Sequence, residues 1–298
     1  MGQGPGPLIV SGAAGFVGTN LCRYLAGTGR PFRQLPGADV TTGWRPVLEG
    51  GDALVHLLAR PSGDAAEQAA TLALTESLAL QARQVGLRRL VFVSTAKVYG
   101  ETSPTGHACV ETDRPKPVGA YAEGKLAAEV RLREILGAAL TIVRVPLVHG
   151  PGVKRNFAML LRAVERGWPL PLARVENRRS LISAASLAHF LVLAAEHPAA
   201  SGEVFNVADE DVVSTRRLLG ALAAAMGRPD RQWAFPPSWL DGLLRAAGRG
   251  SIADRLLHDL VLDVSKARLR LGWSPPLGFE AGIAQTVGDY LDRRRSSP

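Results

Sequence analysis

A glycine-rich turn near the start of the chain limits its fold more than any other feature. Gly12, Gly15 and Gly18 follow a short apolar run at 8–10, and residues 16–25 place apolar side chains on one helical face. A strand, a tight turn and a helix start, in that order, are typical surroundings of a dinucleotide-binding turn. Backbone N–H groups at the helix start would hold the pyrophosphate, because glycine permits close approach.

Strand-like and helix-like stretches alternate through the first half of the chain. Apolar runs of strand length lie at 8–11, 53–58, 90–94 and 141–145, and helical stretches lie at 16–27, 64–85 and 121–136. This alternation predicts an α/β fold with a Rossmann-like, doubly wound parallel sheet. A second strand at 31–35 and a short third strand at 38–40 adjoin each other, with no room for a helix between them.

The pattern changes near residue 150, where helices become more frequent than strands. Helices are expected at 157–166, 186–196, 214–226, 237–247 and 279–294, with a strand at 204–207. We therefore predict a Rossmann domain at 1–148 that also receives about 186–208. A smaller C-terminal substrate-binding lid would comprise 149–185 and 209–298. A ligand would lie in the crevice outside the carboxyl ends of the parallel strands.

Tyr121 and Lys125 form the pair most suggestive of catalysis. They lie four residues apart, so a helix places them on one face. A free tyrosine has a pKa of about 10, and a nearby ammonium favours the phenolate. The strand that ends at Ser94 and Thr95 precedes the pair and offers a hydroxyl for the reacting oxygen. Proton transfer beside a hydride acceptor is what alcohol–ketone interconversion requires.

Composition and charge narrow the range of partners. The net charge is +8, but five of the 35 basic residues are lysines and the other 30 are scattered arginines. We therefore expect no nucleic-acid partner, although general electrostatics would favour a diphosphate substrate or an anionic membrane surface.

The cysteine content and the apolar runs predict the compartment. Cys22 and Cys109 are too few for a disulfide framework, which favours a cytoplasmic location. No apolar stretch reaches the roughly 18 residues that a membrane helix needs, and residues 1–7 lack the features of a secretion signal. We also expect no bound metal.

The whole set of motifs resembles the extended short-chain dehydrogenase/reductase family, in its NAD-dependent epimerase/dehydratase branch. Most of the chain takes part in the resemblance. Its further elements are residues 55–59, 94–100, 144–152, 263–266 and 271–276. Within the branch the chain looks most like the bacterial UDP-N-acetylglucosamine 4-epimerase-like group, some of whose members act on polyprenyl-diphosphate-linked sugars. Residues 150–157 and 177–181 carry that finer match.

The resemblance implies a role for each residue that matches a family motif. Thr95 would be the catalytic hydroxyl residue, Tyr121 the acid/base, and Lys125 the ligand of the nicotinamide ribose that also lowers the tyrosine pKa. Thr95 would also contact the substrate, together with Asn156, Arg179 and, more weakly, Arg255. The cofactor-binding set would be Gly12, Gly15, Phe16, Val17, Gly18, Asp39, Val40, Leu57, Leu58, Ala59, Tyr121 and Lys125.

The implied reaction is 4-epimerisation of a diphosphate-linked sugar, with a tightly bound nicotinamide cofactor and no net redox change. NAD is expected and NADP stays open, because no acidic residue follows the second strand at Leu35 and Pro36 and Arg33 is available for a 2′-phosphate. Family analogy implies a homodimer, and a lipid-linked substrate would imply peripheral membrane contact.

Three other functions are alternatives to 4-epimerisation. A 4-keto-sugar reductase would use the same site, and a nucleotide-sensing protein would use the Rossmann frame without catalysis. Sugar 4,6-dehydratases carry an acidic pair after the catalytic threonine, where this chain has Ala96 and Lys97, so dehydration is disfavoured. One site residue also has an alternative role: Asn156 is as well suited to cap the helix that follows it as to contact the substrate.

Overall fold

Strands and helices alternate along the part of the chain that the structure, a computed structural model, describes: residues 6–37, 43–61 and 63–295. The strands are β1 (Leu8–Ser11), β2 (Phe32–Gln34), β3 (Ala53–His56), β4 (Arg89–Thr95), β5 (Ala108–Cys109), β6 (Leu140–Val145), β7 (Leu147–His149), β8 (Arg179–Ser183), β9 (Val204–Asn206), β10 (Val212–Val213) and β11 (Val261–Leu262). The helices are α1 (Phe16–Thr28), α2 (Arg45–Leu48), α3 (Ala65–Gln84), α4 (Ala120–Leu136), α5 (Arg155–Glu165), α6 (Ala184–Glu196), α7 (Thr215–Ala225), α8 (Pro237–Ala246), α9 (Gly250–Leu257), α10 (Ser265–Leu271) and α11 (Phe279–Arg295). Short 3₁₀ helices lie at Ala96–Tyr99, Gly137–Ala139 and Pro198–Ala200.

The central sheet is parallel, with its strands in the order β2-β1-β3-β4-β6-β9. The order reverses at β1, because β2 lies on one side of β1 and β3, the next strand of the sheet along the chain, lies on its other side. Such a switch point opens a crevice at the carboxyl ends of the strands, where open α/β sheets bind their ligands. The turn after β1 and the segment after β3 therefore meet at one edge.

Helices cover both faces of this sheet, as the buried, apolar strands require. On one face α1 and α6 pack through side chains such as Leu21, Leu25 and Phe190. On the other face α2, α3 and α4 pack through side chains such as Leu48, Leu78 and Leu132. The result is a three-layer α/β/α arrangement, and the predicted fold class is confirmed.

A separate hydrophobic core lies in the second half of the chain. It joins α5, α7 and α11 through side chains that include Phe157, Leu218 and Ile283. The small sheet β10-β8-β7 and the two-stranded pairing of β11 with β5 complete this region. This second core supports a substrate-binding lid, and the domain boundaries stay a prediction.

The predicted elements differ from the structure at several places. The run at 53–58 is a strand only to His56, and α2 lies between β2 and β3. The short third strand at 38–40 falls outside the described residues. Helices α9 and α10, of eight and seven residues, and the strands β5, β7, β8, β10 and β11, of two to five residues, were not predicted, because such short elements carry too little periodicity. Within the described residues, every helix is too short or too polar to span a bilayer.

Candidate active site

The glycine turn after β1 is packed so closely that its glycines leave no space for a side chain. Gly12 has a φ of 70°, and a Cβ there would lie 3.1 Å from the Leu57 carbonyl carbon. A Cβ on Gly18 would lie 2.2 Å from the carbonyl oxygen of Gly12. The first and third glycines therefore let the turn fold tightly between β3 and the start of α1.

The N-terminus of α1 is open to an anionic ligand. Its N-cap is Gly15, which has no side chain that could cap the helix, and the first turn contains no acidic residue. The first N–H groups of a helix have no partner within the helix, and they carry a partial positive charge. Phe16 and Val17, half-buried, start this helix, Leu57 and Leu58 lie against Gly12 of the same turn just after β3, and the contact of Ala59 with the cofactor stays a prediction. These residues fit the pyrophosphate of a dinucleotide.

We predict that Gly18→Ala removes most of the bound dinucleotide. The new methyl group would displace the Gly12 carbonyl, and overpacking of this kind costs about 1–3 kcal/mol, which corresponds to roughly a tenfold or larger loss of affinity. Nucleotide released from the purified, denatured protein, measured by mass spectrometry, gives the retained fraction. Gly27→Ala is the matched control, because it lies on the same helix and a Cβ there meets nothing within 4 Å. Equal nucleotide content in the two variants would contradict the assignment.

A buried histidine links the glycine turn to its neighbours. Nδ1 of His56 lies 2.6 Å from Oγ of Ser11, and Nε2 lies 3.0 Å from Oγ1 of Thr75 on α3. Burial, together with the nearby charge of Lys125, lowers the pKa of His56 to about 3. The ring is therefore neutral and connects β1, β3 and α3. Sequence reasoning missed this link because a histidine at a strand end has no distinguishing pattern.

Tyr121 lies in the first turn of α4, beside the end of β4. The hydroxyl of Thr95, the last residue of β4, lies close enough to the Tyr121 hydroxyl to lower its pKa. Burial nevertheless raises the pKa of Tyr121 to about 12, and the Thr95 hydroxyl and the charge of Arg155 only partly oppose this rise. The sequence drew attention to Thr95 and Tyr121, but not to Arg155, which stands at the start of α5 with a φ of 59°.

Lys125, one helical turn after Tyr121, is hydrogen-bonded to main-chain oxygens near the carboxyl ends of β3 and β4. Its Nζ donates hydrogen bonds to the carbonyl oxygens of Val93 and Leu58, at 2.8 and 3.3 Å, and lies 4.5 Å from the centre of the Phe92 ring. Burial lowers the pKa of Lys125 to about 8, although the charge of Glu129 opposes this change. Burial of the phenol outweighs the influences that lower the pKa of Tyr121 in this structure, and the effect of Lys125 on that pKa stays a prediction.

A buried polar network lies beneath Lys125 on the same face of α4. Both carboxylate oxygens of Glu129 accept hydrogen bonds from Arg144 on β6, at 3.0 and 2.7 Å, and one also accepts a bond from Ser94 at 2.6 Å. Arg144 also donates to the Tyr99 hydroxyl, which donates to Asn206. Burial alone would lower the pKa of Arg144, but the Glu129 carboxylate outweighs it and raises that pKa. The network fixes α4, and with it Tyr121, against β4 and β6.

Two arginines of the second half lie close together at the lid. Arg179, on β8, donates hydrogen bonds to the carbonyl oxygens of Asp254 and His258 at 3.1 and 2.9 Å. Burial lowers its pKa to about 10, the charge of Glu101 opposes this change, and the neighbouring charge of Arg255 adds to the lowering. Two neighbouring guanidinium groups attract a diphosphate, because its negatively charged oxygens accept bidentate hydrogen bonds from arginine.

The remaining predicted residues take different positions. Asn156 is exposed and lies inside α5, whose N-cap is Lys154, so its interpretation as a helix cap is wrong. Arg33 donates to the main-chain oxygen of Glu49 at 2.7 Å, at the end of α2, and its contact with a 2′-phosphate stays a prediction. Asp39 and Val40 lie outside the described residues.

A group of three residues outside this crevice has the composition of a metal site. His107, Cys109 and Asp113 bring one ligand atom each within 4.8 Å of one another. His107 and Asp113 are already hydrogen-bonded to each other at 2.7 Å, and burial raises the pKa of the Cys109 thiol to about 11. The group therefore also forms an ordinary hydrogen-bonded turn, and we assign it no metal.

Comparison with known proteins identifies the family of this chain. Residues 8–208 match the model of the NAD dependent epimerase/dehydratase family. The chain belongs to the NAD-dependent epimerase/dehydratase family. Its match to this family spans the glycine turn, Thr95, the Tyr121–Lys125 pair and Arg179, and the family uses NAD, in agreement with the glycine turn and the uncapped start of α1.

Individual proteins of known name are similar to this chain over nearly its whole length. A UDP-glucose 4-epimerase of Vibrio cholerae is 33% identical, with 96% of each chain covered. The solved structure of MoeE5 in complex with UDP-glucose and NAD has a TM-score of 0.75 at 24% identity, covering 98% of this chain and 100% of that one. A UDP-N-acetylglucosamine 4-epimerase from Bacillus cereus has a TM-score of 0.77 at 20% identity, covering 97% and 99%. The two structural matches show the fold.

Proposed function

We propose that the protein is a 4-epimerase of diphosphate-linked sugars, with UDP-N-acetylglucosamine as its model substrate. The observation that carries this proposal is the placement of Tyr121 and Thr95 at the sheet edge that also holds the glycine turn. Similarity to a UDP-glucose 4-epimerase over 96% of the chain supports the same reaction.

In the proposed reaction, Tyr121 and Thr95 handle the proton of the sugar C4 hydroxyl. Thr95 holds the C4 oxygen, and Tyr121, in its phenolate form, accepts its proton while C4 loses a hydride and becomes a ketone. Bound NAD supplies the hydride acceptor and, in its oxidised form, a positive charge. Such a charge would add to that of Arg155 in lowering the tyrosine pKa. Return of the hydride to the opposite face of C4, and of the proton from Tyr121 to the C4 oxygen, completes a redox-neutral inversion at C4.

The substrate diphosphate is held by residues of the lid. Arg179 and Arg255 supply positive charge there, and Asn156 supplies an amide at the start of α5. An anchored diphosphate lets the 4-keto sugar turn over while its carrier stays in place. Lys125 would bind the nicotinamide ribose from its position between Val93 and Leu58.

The assembly and location are also part of this proposal. We propose a homodimer through α3 and α4, since Leu80 and Val130 are 43% and 48% exposed on these helices. Peripheral membrane contact is proposed for the case of a lipid-linked substrate. The cytoplasmic location expected from the cysteine content stays a prediction.

We expect purified protein to interconvert UDP-N-acetylglucosamine and UDP-N-acetylgalactosamine from either side. Chromatography of the nucleotide sugars measures the approach to one equilibrium mixture. Absorbance of reduced nicotinamide should show no net change, because the hydride returns to the same carbon. A continuous absorbance change would indicate the keto-sugar reductase instead. Retained nucleotide without turnover of either sugar would indicate a non-catalytic sensor.

A further inference from the structure

Helix α8 presents an apolar face that the rest of the described chain leaves uncovered. None of its residues is buried, and Trp239 and Leu243, one turn apart, are 70% and 61% exposed. Ala246 and Ala247 are exposed at the end of the same face. An exposed tryptophan and leucine on adjacent turns are unusual for a helix in contact only with water.

Contacts on the other sides of α8 fix this face outward. Leu240 packs against the hydrophobic core of the lid. Arg245 pairs with Asp241 on the same helix and with Asp254 on α9, at 3.0 and 2.5 Å. One side of α8 thus contacts the lid core and another contacts α9, and Trp239 and Leu243 face outward between them.

Positive charge borders the exposed face. Arg249, just after α8, is exposed, and Arg255 lies on α9, the helix that packs against α8, where among the described residues it donates to Ser251. Neither guanidinium lies within ion-pair distance of a carboxylate in the part of the chain that the structure describes. The chain as a whole carries a net charge of +8. An apolar face bordered by unpaired arginines is complementary to an anionic lipid surface.

We propose that α8 docks the protein on an anionic bilayer, with Trp239 and Leu243 inserted among the lipid headgroups. Tryptophan suits this region because its ring is apolar and its N–H finds polar partners there. Asp254 connects the docking face to the phosphate end of the site, because its side chain pairs with Arg245 and its carbonyl oxygen accepts a bond from Arg179. A sugar on a lipid diphosphate would thus enter from the docked side, and this last step rests on the proposed function.

The test is flotation of the purified protein with vesicles. We expect it to float with vesicles of phosphatidylglycerol and phosphatidylcholine, and weakly with phosphatidylcholine alone. The double variant W239S/L243S should bind the anionic vesicles at least roughly tenfold more weakly, because two large apolar side chains no longer insert. R249E should weaken binding to anionic vesicles only. L269S is the matched control, since Leu269 is 85% exposed on α10, away from this face, and its binding should equal that of the wild type.

Three results would overturn the proposal. One is a wild type that does not float with anionic vesicles, and another is a double variant that floats as well as the wild type. The third is conversion of a dimer to a monomer by W239S/L243S in light scattering, which would assign the face to a second copy. Turnover of UDP-N-acetylglucosamine without vesicles should be the same in wild type and W239S/L243S. A protein that floats but turns over no sugar would refute the proposed function and leave the docking surface standing.

Discussion

Tyr121→Phe is expected to reduce the epimerisation rate by about 10²- to 10⁴-fold, the usual contribution of a positioned acid/base. The phenol is the proton acceptor in the proposed reaction, and phenylalanine keeps the ring while removing the oxygen. Binding of NAD should change little, because the glycine turn and the start of α1 are untouched. Initial rates with UDP-N-acetylglucosamine and the NAD content of the purified variant give the two readings.

Tyr24→Phe is the matched control for that variant. Tyr24 lies on α1 and its ring is near His189, so the substitution removes the same atom away from Thr95. The rate of this control should equal that of the wild type. A Tyr121→Phe protein with more than about a tenth of the wild-type rate would remove Tyr121 from the role of acid/base, given the usual size of that contribution.

The sequence predicted the fold correctly where a residue type at a given spacing fits few local structures. The glycines at 12, 15 and 18 predicted a turn that a Cβ would obstruct, and the structure places them at the switch point of the sheet. The apolar runs predicted the central strands because a strand buried on both faces needs a continuous apolar sequence. Both signals are local, so they can be read without knowing the fold.

The electrostatics of the site could not be read in the same way. Spacing on a helix places Tyr121 and Lys125 on one face, but it does not show where the ammonium finds its partners. The carbonyl oxygens of Val93 and Leu58 come from two different strand ends, and only the folded sheet brings them to Lys125. Burial, which dominates the pKa of Tyr121, is likewise a property of the packed protein.

Arg155 and the network at Glu129 were missed for a related reason. Arg155 is one of 30 arginines in the chain, and nothing in its neighbourhood distinguishes it from those on the surface. Glu129 and Arg144 are 15 residues apart and meet only because α4 packs against β6. A charge that is buried in the fold looks the same in sequence as a charge in solvent.

Glu129→Gln is expected to lower the free energy of unfolding by about 3–5 kcal/mol, the usual cost of removing one partner of a buried ion pair. Glu129 is fully buried and Arg144 is 3% exposed, so the guanidinium would lose its countercharge in a site that water does not reach. Glutamine retains the size of the side chain and one acceptor, which limits the effect to charge and hydrogen bonding. Urea unfolding followed by circular dichroism measures the change.

Glu134→Gln provides the comparison on the same helix. Glu134 pairs with Arg131 on the surface of α4, and an exposed pair of this kind contributes about 0–1 kcal/mol. If both variants lose the same small amount, the Glu129–Arg144 pair does not stabilise the packing of α4. A large loss confined to Glu129→Gln would show that the helix carrying Tyr121 and Lys125 is fixed from below by this ion pair. The position of the Tyr121 hydroxyl then depends on Glu129, a charged residue that does not contact the substrate.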